Sequence, residues 1–225
     1  MGKTAKFLSS SVGRKITMAL SGLFLCSFLV IHLTINLFAL QANHDKTAES
    51  FWGAEMFETY GHFMATHPVI RPLEWGLFAG FLLHAILGIY LYLLNRKARP
   101  VQYEVNKAGE NSTWSSRFGW LTGILVGVFL VVHVNTFFVQ SRFFGQEPMI
   151  RLMIEAFSSP AYVAFYMVAL VFLAYHLKHG FQSAFQTFGL RAGKFEKLVN
   201  AVGVVFWLLI PIGFAIIPLY FLFAY

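Results

Sequence analysis

Two stretches decide the reading of this chain: LSGLFLCSFLVIH, Leu20 to His32, and LTGILVGVFLVVH, Leu121 to His133. Both are apolar runs that end on a histidine, and both carry glycine and phenylalanine at matching places. An imidazole inside so apolar a run loses hydrogen bonds to water, so its repetition calls for a chemical reason.

The runs around the two copies extend well beyond them. Ile16 to Asn43, Trp75 to Asn95, Phe118 to Ser141, Ala156 to Leu177 and Leu198 to Tyr225 are almost free of charge. Each is about 20 residues or longer, enough for a helix to cross about 30 Å of hydrocarbon. Of the 225 residues 57% are apolar and 12% charged, and the mean hydropathy is +0.63. These values exclude an ordinary soluble domain. The expected fold is all-α: one transmembrane domain, 1–225, with helices near 16–42, 70–95, 116–142, 156–187 and 197–225. A cleavable leader is rejected for the first run, which is too long and contains His32 and Asn36. Cys26 lies alone inside that run, so no disulfide framework exists.

The net charge of +7 reads as topology rather than as nucleic-acid binding. Lys46, Arg71, Arg142 and Arg151 excepted, every Lys and Arg falls in the N-terminus, in 96–117 or in 178–197. The positive-inside rule places these segments in the cytoplasm and the C-terminus outside. The 96–117 loop is then a candidate docking surface for a cytoplasmic partner.

Four of the eight histidines, His32, His84, His133 and His176, fall one to a span on the first four spans. Depth sorts them. The first and third spans run outward and put His32 and His133 in the outer half. The second and fourth run inward and put His84 and His176 at a common inner level, provided the fourth helix continues to about Phe185 with Lys178 snorkelling. Two imidazoles at each of two levels suit two six-coordinate haems. Gly88 and Gly180, each one turn after a ligand, and Gly22 and Gly123, ahead of theirs, offer room for a flat macrocycle, although glycine also serves helix packing. The alternative is a histidine-lined transporter or proton channel, for which carboxylates at the ligand level are expected; no Asp or Glu lies inside a span.

HLTINLF at His32, GHFMATHP before the second span, HAILGIY at His84, LTGILVGVFLVVHV around His133, and SSPAYVAFY followed by HLKHG at His176 resemble the di-haem cytochrome b membrane anchor, the cytochrome b558 type, of bacterial succinate:menaquinone oxidoreductases and related fumarate reductases. The resemblance runs over nearly the whole chain. It implies five helices, two haem b groups with His32 and His133 on the distal one and His84 and His176 on the proximal one, and menaquinone as substrate. It further implies a flavoprotein and an iron–sulfur subunit as partners, a location in the cytoplasmic membrane among its lipids, and assembly that extends to a dimer of heterotrimers. The dicarboxylate chemistry would belong to the partners, since this chain has neither flavin-binding nor cysteine-rich cluster motifs. Within HLKHG, His179 is a second candidate ligand; His176 is preferred as the deeper of the two.

The outer segment FWGAEMFETYGHFMATHP, Phe51 to Pro68, places Trp52, Met56, Tyr60 and Phe63 at helical spacing. It reads as an interfacial helix near 50–65. Quinone reduction consumes protons, so a quinone site there needs a protonatable group with access to water. Glu58, His62 and Glu74 qualify, and Arg71 is placed to hold a haem propionate or a quinone oxygen. The absence of carboxylates inside the spans further predicts that electron flow between the faces is not compensated by protons crossing this chain.

Overall fold

The computed structural model describes residues 10–42, 54–98, 117–145, 148–191 and 193–225, and among these it is helical, with no strand. Five helices are long and apolar enough to cross a membrane: α1, Ser11–Gln41; α3, Ile70–Lys97; α4, Gly119–Phe144; α6, Pro160–Thr187; and α7, Gly193–Ala224. Two short helices lie between them, α2, Glu55–Thr66, and α5, Met149–Phe157. The chain is an all-α, multi-pass membrane protein.

Local chemistry marks the helix ends. The Ser10 side chain accepts a hydrogen bond from the Gly13 amide at 2.9 Å and starts α1. Ser159 caps α6 through the Tyr162 amide, with Pro160 in the first turn, where its missing N–H is of no consequence. Gly145 closes α4 at φ 63°, a left-handed conformation that favours glycine.

The long helices carry Leu, Ile, Val and Phe outward, Phe223 at 83% exposure being the extreme. In water this surface would be untenable; in a bilayer the apolar exterior is the lipid-facing surface. Helix α6 is central and packs on α4, α1 and α7, while α3 lies against α1 and α4. One buried cluster, built on Ile150, Phe157, Tyr166, Ile217 and Phe221, fills the end of the bundle where α2 and α5 sit. A smaller one, Cys26, Leu177, Phe181 and Val199, lies toward the other, basic end.

The fourth span, expected near 156–187, is Pro160–Thr187, and a separate short helix that the sequence analysis did not anticipate precedes it. Ser158 and Ser159 separate α5 from α6. Ile150, Met153 and Phe157 of α5 are buried while Arg151 and Glu155 pair on its exposed face, so α5 is an amphipathic plug under the bundle rather than an early turn of the span. Of the interfacial helix expected near 50–65, residues 50–53, with Trp52, lie outside the described residues, as do 99–116 of the basic loop. Two spans also carry a π-helical turn: Val134–Val139, directly after His133, and Val205–Leu209, ahead of Pro211. The second follows from the proline, which cannot donate to the helical ladder.

Candidate functional site

The helices bring the four deep histidines together in two pairs. His32 of α1 and His133 of α4 stand with ring centroids 5.8 Å apart and planes at 89°. His84 of α3 and His176 of α6 are 6.0 Å apart at 83°. His84 therefore faces His176, whereas His179 packs on the backbone of Gly119, where an added Cβ would come within 2.7 Å of its ring.

The repeat has a structural meaning. Phe28 lies one turn before His32 and stacks on it at 5.1 Å and 19°; Phe129 does the same for His133 at 5.6 Å and 29°. The glycines of the repeat serve the other pair. A Cβ on Gly22 would lie 3.3 Å from Cε1 of His84, and one on Gly123 would lie 3.3 Å from Cε1 of His176. Gly88 instead faces the end of Met18, and Gly180 has open space around its Cα.

Each ring has its own polar surroundings. Nδ1 of His133 is 2.9 Å from the Tyr166 hydroxyl, and Nδ1 of His84 is 3.2 Å from Ser21 Oγ. Nδ1 of His32 is 3.3 Å from Asn36 Nδ2. Nδ1 of His176 is buried beside the backbone of Gly119. Among the described residues no three His, Cys, Asp or Glu converge on one point. The donor sets are thus pairs of imidazoles, and the centroid separations can be spanned by one metal ion with bonds of about 2 Å to each ring. With Gly22 and Gly123 keeping side chains off the His84 and His176 rings, these residues fit a planar group held between two imidazoles.

At the α2 and α5 end, of the four other predicted residues only Arg71 and Glu74 come together. The Glu58 carboxylate accepts from the Ile150 amide at 2.7 Å, at the first turn of α5, where a negative charge meets the positive end of the helix dipole. Glu74 pairs with Arg142 at 2.8 Å and with Arg71 at 3.5 Å. Arg142 also donates to the Ala65 carbonyl at 3.0 Å, so it ties α2, α3 and α4 together. His62 is exposed on α2. The sequence reading missed Arg142; its signal was a lone arginine at the far end of the third span, level with Glu74 at the start of the second. It also missed Ser21 and Tyr166, which nothing in the linear sequence sets apart from other hydroxyl residues.

Five spans that bring four histidines together in two pairs define a helical, multi-pass membrane protein. The chain is 29% identical over 167 residues, 72% of each chain, to the succinate dehydrogenase cytochrome b558 subunit of Bacillus subtilis. This bears out the resemblance read from the sequence. No family model matches the chain, and no solved structure matches it.

Proposed function

We propose that this chain is the membrane anchor and electron-transfer subunit of a succinate:quinone oxidoreductase, working as a succinate dehydrogenase or a fumarate reductase. His32 and His133 hold one b haem, and His84 and His176 the other. The observation that carries this reading is the pairing itself: four histidines on four helices meet in two pairs at two levels. The similarity to a succinate dehydrogenase cytochrome b558 subunit supports it independently.

When bound, each haem supplies a one-electron redox centre. The protein's part is to place and insulate these centres. His84 and His176 lie toward the basic end, and His32 and His133 toward the end covered by α2 and α5. An iron–sulfur subunit, with a flavoprotein behind it, docks on the basic, cytoplasmic face, and the C-terminus of this chain faces outward across the cytoplasmic membrane. Menaquinone reacts at the opposite end. There Glu58, His62 and Glu74 are the protonatable groups within reach of water, and Arg71 offers a cation to a quinone oxygen or a propionate. Gly180, with open space beside it on α6, would leave room for a bound macrocycle, whereas Gly88 would do so only if Met18 moved aside.

The test is a dithionite-reduced minus oxidised spectrum of the purified protein, with haem quantified per chain, for the wild type and for His32→Ala and His84→Ala. Two b haems in the wild type and one in each variant are expected. A wild-type chain without haem would sink the proposal and turn the four histidines into transport or relay candidates.

A further inference from the structure

The hydrogen-bond partners of the paired histidines carry an inference that rests on reading them as axial ligands. Ser21 Oγ donates its only proton to the Met18 carbonyl at 3.0 Å. Toward His84 Nδ1, 3.2 Å away, its oxygen can therefore only accept. Nδ1 must then carry the ring hydrogen, and Nε2 keeps its lone pair.

A longer chain gives the same result at His133. The Tyr162 hydroxyl donates to Thr136 Oγ1 at 2.9 Å, so its oxygen accepts from the Tyr166 hydroxyl at 3.4 Å. Tyr166, its proton committed, accepts from His133 Nδ1 at 2.9 Å. The chain leaves α4 at His133, passes through two tyrosines of α6, and returns to α4 at Thr136. Thr136 sits in the π-helical turn that follows His133, so that irregular turn houses the end of the chain.

The other member of each pair has a different neighbour at Nδ1. At His32 the neighbour is the Asn36 side-chain amide, 3.3 Å from Nδ1, whose Nδ2 donates to the His32 carbonyl at 2.8 Å. At His176 the group beside Nδ1 is the backbone carbonyl of Gly119, an acceptor it shares with the Thr122 hydroxyl at 3.0 Å. Each pair thus contains one histidine backed by a hydroxyl oxygen and one that is not.

We infer that Ser21 and Tyr166 are positioning residues that orient and strengthen one axial histidine apiece, so that the two haem potentials are set by separate hydroxyl groups. An N–H···O bond at Nδ1 shifts electron density toward Nε2. A stronger donor favours the oxidised metal, and loss of the acceptor raises the potential. Because Ser21 touches one pair and Tyr166 the other, the two effects are separable.

The experiment is a redox titration of the haem-loaded complex, followed by reduced-minus-oxidised absorbance, with haem counted per chain in every sample. Tyr166→Phe keeps the ring packing and removes the acceptor; one of the two potentials should rise while the other stays. Ser21→Ala should raise the other one. Ser21→Thr, which retains a hydroxyl, should leave both in place. If Tyr166→Phe does not assemble, the contrast between Ser21→Ala and Ser21→Thr decides alone. Full haem content with no potential moved, or both variants moving the same potential, overturns the inference. A wild-type complex without haem overturns instead the ligand reading beneath it.

Discussion

Gly22 packs against the ring of His84 on a neighbouring helix, not against His32 on its own: a Cβ there would stand 3.3 Å from the His84 ring. Gly123 stands in the same relation to His176. Helices α1 and α4 thus give a histidine to one pair and a glycine to the other. An alanine demands a shift of a few tenths of an ångström, whereas a valine adds branches that a packed ring cannot yield to. Gly22→Val and Gly123→Val are expected to lose the haem of His84 and His176 and keep that of His32 and His133. Haem quantification with a redox titration checks this; loss of the His32 haem instead would contradict it.

The pairing predicts which histidine variants resemble one another. His32→Ala and His133→Ala should give the same spectrum and the same remaining haem, and His84→Ala and His176→Ala should match each other. His179→Ala should retain both haems, because His84 faces His176 while His179 rests on Gly119. A His179 variant lacking the haem that the His176 variant keeps would reassign the ligand.

Glu58 can be tested for two roles at once. Its bond to the Ile150 amide satisfies an N-terminal donor of α5, an interaction of about 1 kcal/mol. Glu58→Ala should lower thermal stability by that order, while Glu58→Gln retains an oxygen acceptor and should melt near the wild type. If Glu58 also supplies protons at the quinone end, Glu58→Gln will lose quinone reduction at unchanged stability. Thermal melts in detergent alongside quinone reduction assays separate the two roles.

The two arginines on Glu74 should differ in weight. Arg142 makes the shorter bond, 2.8 Å, and is the less exposed, 23% against 45% for Arg71. It also holds the Ala65 carbonyl. Arg142→Met is expected to destabilise the protein by about 1.5–3 kcal/mol, the range for hydrogen bonds to charged groups. Arg71→Ala should cost less than about 1 kcal/mol, as exposed pairs do. Equal losses of stability in melts of the two variants would show that the bridge from α4 to α2 and α3 adds nothing.

Much of this organisation was legible in the chain. Charge-free runs delimit the spans because a charge in hydrocarbon is costly, and the same cost sets His32, His84, His133 and His176 apart from His44, His62 and His67 in the polar segment between the first two spans. Chain direction then gives depth, and depth anticipates the two pairs found in the structure. Helix α5 was less legible: Ile150, Met153 and Phe157 have helical spacing, but Arg151 and Glu155 interrupt so short a run that it does not stand out beside the long spans.

What the sequence alone determined is therefore the number of spans, the histidine bearing each of the first four, and the level of each histidine, because these follow from rise per residue and from the transfer cost of polar groups. Tertiary structure decided which side chains surround each ring. That Gly22 serves His84, that Ser21 and Tyr166 back one histidine in each pair, and that Arg142 reaches Glu74 all depend on the rotation of each helix about its axis and on the close packing of neighbours. Periodicity in a helix that is apolar nearly all round leaves that rotation open, and only contacts between helices fix it.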